Sequence, residues 1–374
     1  MIDARLYYSL YILLALFCML FAYSKTEILS GANSRWNVVV CVLFISLAIA
    51  LLGSVRPEQS ADTANYYRIY ADVLEPGKYL KKLLIFGSRK DGIEVAFVFL
   101  FSLLKSLSLG FRTILFAIAF VNALLILSAS IGIANKVNNN AGYSKLFALF
   151  VSYFGLHYCC IAIRAGLSIG IGLFAIYCLL SKKYLSGTVL MYISLLLHTM
   201  SVLLVMITGF VMLYSRQKKE PADEIVNRRL GMVLGLCSAS LLLNLGSRAF
   251  EIFVRAFQAL SEKMEIGSFA GYMVNFDMAV GIKDWFIVIA IGLTLYAVER
   301  TTTLSRALSW VIIIGLLITS FLYPIRAVNR AADYCYFLLL PLICSLDPEK
   351  QYTGKAAIPD VIIYPMLLAV QFSL

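Results

Sequence analysis

Apolar runs of about twenty residues recur along this chain, each closed by a short connector carrying lysine or arginine. Residues 6–23, 38–52, 113–134, 146–163, 199–214, 230–245, 285–298, 308–322 and 334–346 read this way, and a last run, 358–374, either spans or lies flat. In lipid, spanning backbone must satisfy its own hydrogen bonds, so the pattern predicts an all-α, polytopic integral membrane helix bundle of about 11 to 13 spans. The first run follows Arg5, exceeds a usual signal core and lacks a clear small-x-small cleavage site, so it reads as a retained span.

One stretch departs from plain hydrophobicity in an informative way. Arg164 sits in an otherwise apolar run, Lys182-Lys183 marks a turn, and a second apolar run returns to His198. At about 1.5 Å per residue, Arg164 lies about 27 Å from Lys182 and His198 about 22 Å from Lys183, so a hairpin brings both back to one face. An intramembrane arginine costs about 2.5 kcal/mol or more unless partners or a polar cavity compensate it.

Two inserts interrupt the series within what reads as a single transmembrane domain. The first, 54–111, holds a polar stretch and then residues 93–107, apolar but too short to span comfortably and bracketed by Glu94 and Lys105. The second, 246–283, places Phe250, Phe253, Phe257, Leu260 and Met264 at three- and four-residue spacing, the pattern of an interfacial amphipathic helix.

Loop charge sets the orientation. With Lys136/Lys145, Lys182/Lys183, the 216–229 cluster, Arg300/Arg306 and Lys350/Lys355 in the cytoplasm, the spans alternate from residue 113 onward. His157, Arg164, His198, Arg326, Arg330 and the second insert then face outside. The first insert carries Lys78, Lys81, Lys82, Arg89 and Lys90, and its side depends on whether 93–107 crosses the bilayer or only dips into it.

Composition agrees: 61% of residues are hydrophobic, 14% charged, and mean hydropathy is +0.85. The net charge of +11 is distributed over loops between apolar runs, as membrane orientation requires, which argues against nucleic acid as a partner. The eight cysteines fall within apolar runs without a Cys-x-x-Cys pair and read as small buried hydrophobes. No GxGxxG, P-loop, HExxH or paired metal ligands occur, so nucleotide and metal chemistry are unsupported and no cofactor is implied.

Candidate chemistry gathers on the outer side. Arg164, Arg326 and Arg330 offer planar bidentate donors suited to a diphosphate; the alternative is arginines snorkelling to lipid head groups. His198 is either a proton acceptor or phosphate ligand, or a helix-packing residue. His157 reads as structural. Asp62, Asn65, Tyr66 and Tyr70 fall on one helical face downstream of Arg56, so Asp62 is either a general base beside sugar-stacking tyrosines or the cap of a surface helix. Glu94 and Asp333 are either further carboxylates of the site or helix caps.

The order of these elements, Arg56…Asp62-x-x-Asn65-Tyr66-x-x-x-Tyr70, Glu94, Ile-Arg164-Ala-Gly-Leu, Leu-Leu-His198-Thr and Arg330-x-x-x-Tyr334-x-Tyr336, resembles the EpsG/Wzy-like family of membrane polysaccharide polymerases. The resemblance covers about residues 56–340. It implies a multi-pass glycosyltransferase of the bacterial inner membrane that joins undecaprenyl-diphosphate-linked oligosaccharide repeat units on the periplasmic face, in O-antigen or other surface polysaccharide synthesis. It places the first insert outside, with 93–107 a re-entrant or interfacial segment. Expected roles are His198, Asp62 and Arg164 in catalysis, Arg56, Arg164, Arg326 and Arg330 on the diphosphate, and Tyr66, Tyr70, Glu94, Asp333 and Tyr334 on sugar. Expected partners are the lipid-linked oligosaccharide, membrane lipids and a chain-length-regulating membrane protein. A flippase of the same lipid-linked oligosaccharide and an O-antigen ligase are the rival readings.

Overall fold

Chains this apolar fold as helices in lipid because no other open structure pairs every backbone N–H and C=O. The computed structural model describes residues 3–23, 34–57, 61–90, 93–138, 143–215, 223–246, 248, 280–298, 302–323, 326–344 and 358–373. Among the described residues the regular structure is helical apart from one hairpin of two two-residue strands. Among them, Ala4–Ala22, Trp36–Val55, Phe111–Val137, Ser144–Ile161, Ile163–Leu180 and Thr303–Leu322 are long and apolar enough to cross a bilayer. Shorter apolar helices such as Tyr184–Leu197 accompany them, and the whole is a multi-pass, all-α membrane bundle.

In chain order, α1 is Ala4–Tyr23 and α2 Ser34–Val55. The first insert then supplies α3 (Ala61–Asp72), a 3₁₀ turn (Pro76–Tyr79), the one-turn α4 (Leu80–Leu83), the hairpin β1 (Arg89–Lys90) and β2 (Ile93–Glu94), and α5 (Val95–Ser106). At twelve residues, α5 is about 18 Å long and does not cross a bilayer by itself. It is tied back to α3 by Lys105 donating to the Tyr70 and Ala71 carbonyls (2.6 and 3.1 Å), and to the segment just after α3 by Ser102 donating to that of Leu74 (2.5 Å). Pairing Arg89 with Glu94 across the hairpin puts both side chains on one face.

The centre of the bundle is α2 against α6 (Phe111–Val137), α6 against α8 (Ile163–Leu180), and α8 against α9 (Tyr184–Leu197). α8 and α9 form the hairpin expected from the lysine pair, with Lys182 in the left-handed region at φ +61°. The run 146–163 departs from a plain helix: α7 (Ser144–Leu149) passes into a twelve-residue π-helix, Phe150–Ile161. Side chains from elsewhere in the chain add partners to several of its backbone groups. Tyr11 and Gln371 donate to the Val151 carbonyl (2.6 and 2.8 Å), Gln371 accepts from Leu156 N–H (3.0 Å), and Arg56 donates to the Cys160 and Ile161 carbonyls.

The remaining described helices are α10 (Val202–Tyr214), α11 (Asp223–Leu242), α12 (Ile282–Ala297), α13 (Thr303–Leu322), α14 (Arg326–Tyr336), α15 (Leu339–Ile343) and α16 (Ile358–Ser373). The tail helix α16 packs on α12 and the π-helix, burying Tyr364, Leu367 and Gln371. Phe250, Phe253, Phe257, Leu260 and Met264, the stripe of the second insert, lie outside the described residues. All eight cysteines are free, and all but Cys41 are buried.

Candidate functional site

The π-helix ends at Ile161, the chain turns at Ala162, and α8 starts with Arg164 in its first turn. Asn122 of α6 fixes that turn by donating to the Ile163 carbonyl (2.9 Å) and the Tyr158 carbonyl (3.3 Å). Gly166 is required there: a Cβ on it would stand 1.9 Å from the Tyr158 oxygen. The Arg-Ala-Gly sequence therefore lets α8 approach the π-helix closely enough to set the direction in which the guanidinium leaves the helix.

Arg164 Nη1 donates to Glu94 Oε2 at 2.5 Å. The other carboxylate oxygen, Oε1, accepts from the Thr199 N–H and hydroxyl (both 3.1 Å), lies 3.3 Å from His198 Nδ1, and is 3.8 Å from Arg89 Nη2. Arg89 also donates to the Thr199 hydroxyl at 3.0 Å. Three remote parts of the chain thus converge on one carboxylate: the β-hairpin, the start of α8 and the end of α9. The Glu94 side chain is 3% exposed, Arg164 23% and His198 16%. Burial opposes ionisation of Glu94, yet the His198 hydrogen bond, the Arg164 charge and the Thr199 N–H hold its carboxyl at about 2.

A second arginine lies close behind. Arg56 is 2% exposed and stacks over the Tyr66 ring at 5.4 Å, while its Nε and Nη2 have no hydrogen-bond partner. Tyr66 packs on Phe97 and Phe101 of α5, and burial pushes its phenol up to about 12, with Asp62, Arg164 and Arg56 all acting on it. Tyr334 is buried beside Ser201 and lies within electrostatic reach of Arg164 and Glu94. Arg56, Tyr66, Arg164 and Tyr334 therefore form one polar seam ending at the Glu94 cluster. Two guanidiniums, Arg89 and Arg164, face a single carboxylate there, which leaves the site positive and suited to a multiply charged anion. Among the described residues no group of His, Cys, Asp and Glu has metal-ligating geometry.

Residues 37–373 match the EpsG family model. This chain belongs to the EpsG family. No curated protein matches it. No solved structure matches it. Membership of the EpsG family, that of the Wzy/EpsG-like polymerases, suggests a membrane polysaccharide polymerase of glycosyltransferase type.

In this EpsG-family chain the expected site residues divide into groups. Arg164, His198 and Glu94 meet directly, with Glu94 as the shared anchor of the other two. Asp62, in the first turn of α3, stands within electrostatic reach of Arg56 and Tyr66. Tyr70 is turned to the α5–α6 corner, where it meets Phe111, the Lys105 ammonium and the Leu109 carbonyl. Asp333 accepts from Tyr153 and Tyr158 of the π-helix at 3.1 and 2.5 Å, and Arg330 is exposed, near Asp333 and His157. The side chain of Arg326 lies outside what is described.

Arg89 and Thr199 belong to the cluster although the sequence marked neither. Arg89 read as one charge of a basic loop, and only the two-residue hairpin sets it beside Glu94. Thr199 adjoins His198, and a threonine after the last turn of an apolar helix is a usable signal for a polar end.

Proposed function

We propose that this chain polymerises undecaprenyl-diphosphate-linked oligosaccharide repeat units at the outer, periplasmic face of the bacterial cytoplasmic membrane. The observation carrying this reading is Glu94 bridging Arg164 and His198, with Arg89 at its edge, at the open end of the α8–α9 hairpin, opposite the Lys182-Lys183 turn. A lipid-diphosphate donor brings its own leaving group, so the protein needs cationic donors and a base rather than a nucleotide site.

In this mechanism His198 is the general base and Glu94 is its orienting partner. With Nδ1 held on Glu94, Nε2 takes the proton of the acceptor hydroxyl. The hydroxyl oxygen attacks the anomeric carbon, the carbon–oxygen bond to the diphosphate breaks, and configuration inverts. Arg164 stabilises the departing diphosphate, with Arg89 and the unpartnered edge of Arg56 adding donors. His198 is preferred to Asp62 because a carboxylate orients it, whereas Asp62 faces Arg56. Tyr66 and Tyr334 border the sugar, and Arg330 with Asp333 on α14 bounds the acceptor side.

The test is the purified protein in bilayers supplied with lipid-linked repeat units alone. A ladder of lengthening glycans supports the reading. Movement of the donor between leaflets without chain growth would make it a flippase, and transfer only to added lipid A core would make it a ligase.

A further inference from the structure

A cavity of about 470 Å³ lies between α5, α6, α8 and α9, lined by residues that neighbour the Glu94 cluster in the chain. It greatly exceeds the roughly 10–15 Å³ that admits one water, and its lining is hydrocarbon throughout. Three of its walls begin at the polar site: Ala96 is two residues beyond Glu94, Leu167 one helical turn beyond Arg164, and Leu197 adjoins His198. At about 1.5 Å per residue, Ile171 lies about 10 Å further along α8 from Arg164, so the cavity runs from the charged cluster into the apolar body of the bundle. Its outer lip includes Leu84 and Val121, which are exposed, so it opens sideways onto the surface that faces lipid.

We propose that this cavity seats the head-proximal part of the isoprenoid chain of the lipid-diphosphate donor; the proposal rests on the polymerase reading above. A polar cluster with two guanidiniums set against one carboxylate, continuous with a single apolar slot, matches an amphiphile with a multiply charged head and one hydrocarbon chain. A two-chain phospholipid would leave one chain outside the slot and bring a single phosphate. The slot also fixes where the diphosphate can lie, because the head of a chain threaded past Leu197 and Leu167 emerges between His198 and Arg164. Binding energy from hydrocarbon remote from the reacting carbon then positions the leaving group. The short helix α5, which forms one wall, is too short to cross the membrane and is held by its ties to α3, and that arrangement leaves the lateral opening.

The experiment is photolabelling of the full-length protein in nanodiscs with a long-chain polyprenyl diphosphate carrying a diazirine on a head-proximal isoprene, the sites being mapped by peptide mass spectrometry. Label is expected on α5, α6, α8 and α9 at the cavity, displaced by unlabelled polyprenyl diphosphate but not by phosphatidylglycerol. Filling the slot by Ala96→Phe is expected to lower that label about tenfold. Val121→Trp, at the exposed lip, fills it without disturbing the buried core. Label elsewhere, label unchanged in both variants, or equal displacement by phosphatidylglycerol overturns the proposal. Because labelling is read without chain growth, cavity label in a protein that makes no polymer refutes the polymerase reading alone, and polymer made with label elsewhere refutes the cavity alone.

Discussion

Replacing Glu94 by glutamine removes a charge while keeping the size of the side chain and an oxygen for the Thr199 N–H and hydroxyl. What is lost is the 2.5 Å ion pair with Arg164 and the charged acceptor for His198. The carboxyl moves from 4.5 to about 2 on folding, and at about 1.4 kcal/mol per unit that corresponds to about 3 kcal/mol of stability at neutral pH. Breaking a fully buried pair costs about 3–5 kcal/mol, and Arg164 retains some solvent contact, so the expected loss is about 2–3 kcal/mol. Equilibrium unfolding by SDS titration in mixed micelles, on wild type, Glu94→Gln, Arg164→Gln and the double variant, gives the coupling. About 2 kcal/mol between the two positions is expected. Additivity within about 0.5 kcal/mol would refute the claim that Glu94 holds Arg164.

The same carboxylate sets a pH dependence. Its folded value is depressed, so its contribution is complete above about pH 4.5 and disappears as pH falls through about 2; the unfolding midpoint should decline over that window in wild type and not in Glu94→Gln. Gly166→Ala drives a methyl into the Tyr158 carbonyl and should lower the unfolding midpoint and displace Arg164, whereas Gly209→Ala, inside α10 with open space around it, should unfold no earlier than wild type does. Arg56→Met leaves the Cys160 and Ile161 carbonyls unpaired at the end of the π-helix and should cost about 2–4 kcal/mol by the same titration, with Arg56→Lys intermediate because one donor is kept.

The membrane bundle was legible because the bilayer imposes length and polarity on every span. The lysine pair at 182–183 located the hairpin, and the hairpin brought Arg164 and His198 to one end, as helix arithmetic requires. The π-helix was not legible: Phe150–Ile161 has the composition of an ordinary span, and the side chains bonded to its backbone, Tyr11, Arg56 and Gln371, lie far away in sequence. Glu94 looked like one of several carboxylates, since its centrality comes from a hairpin register that sequence does not specify. Tyr66 and Tyr70 share a helix and a face, yet packing sends one to Arg56 and the other to Phe111. Arg330 and Arg164 have the same chemistry, but α14 places Arg330 beside Asp333 and His157, whereas Arg164 pairs with Glu94.

The most direct measurement of the account is the single-turnover rate of Arg164→Ala with a lipid-linked repeat unit, with and without added guanidinium. The account predicts a fall of about a hundredfold or more, partly restored by guanidinium filling the space beside Glu94. A rate equal to wild type would contradict it.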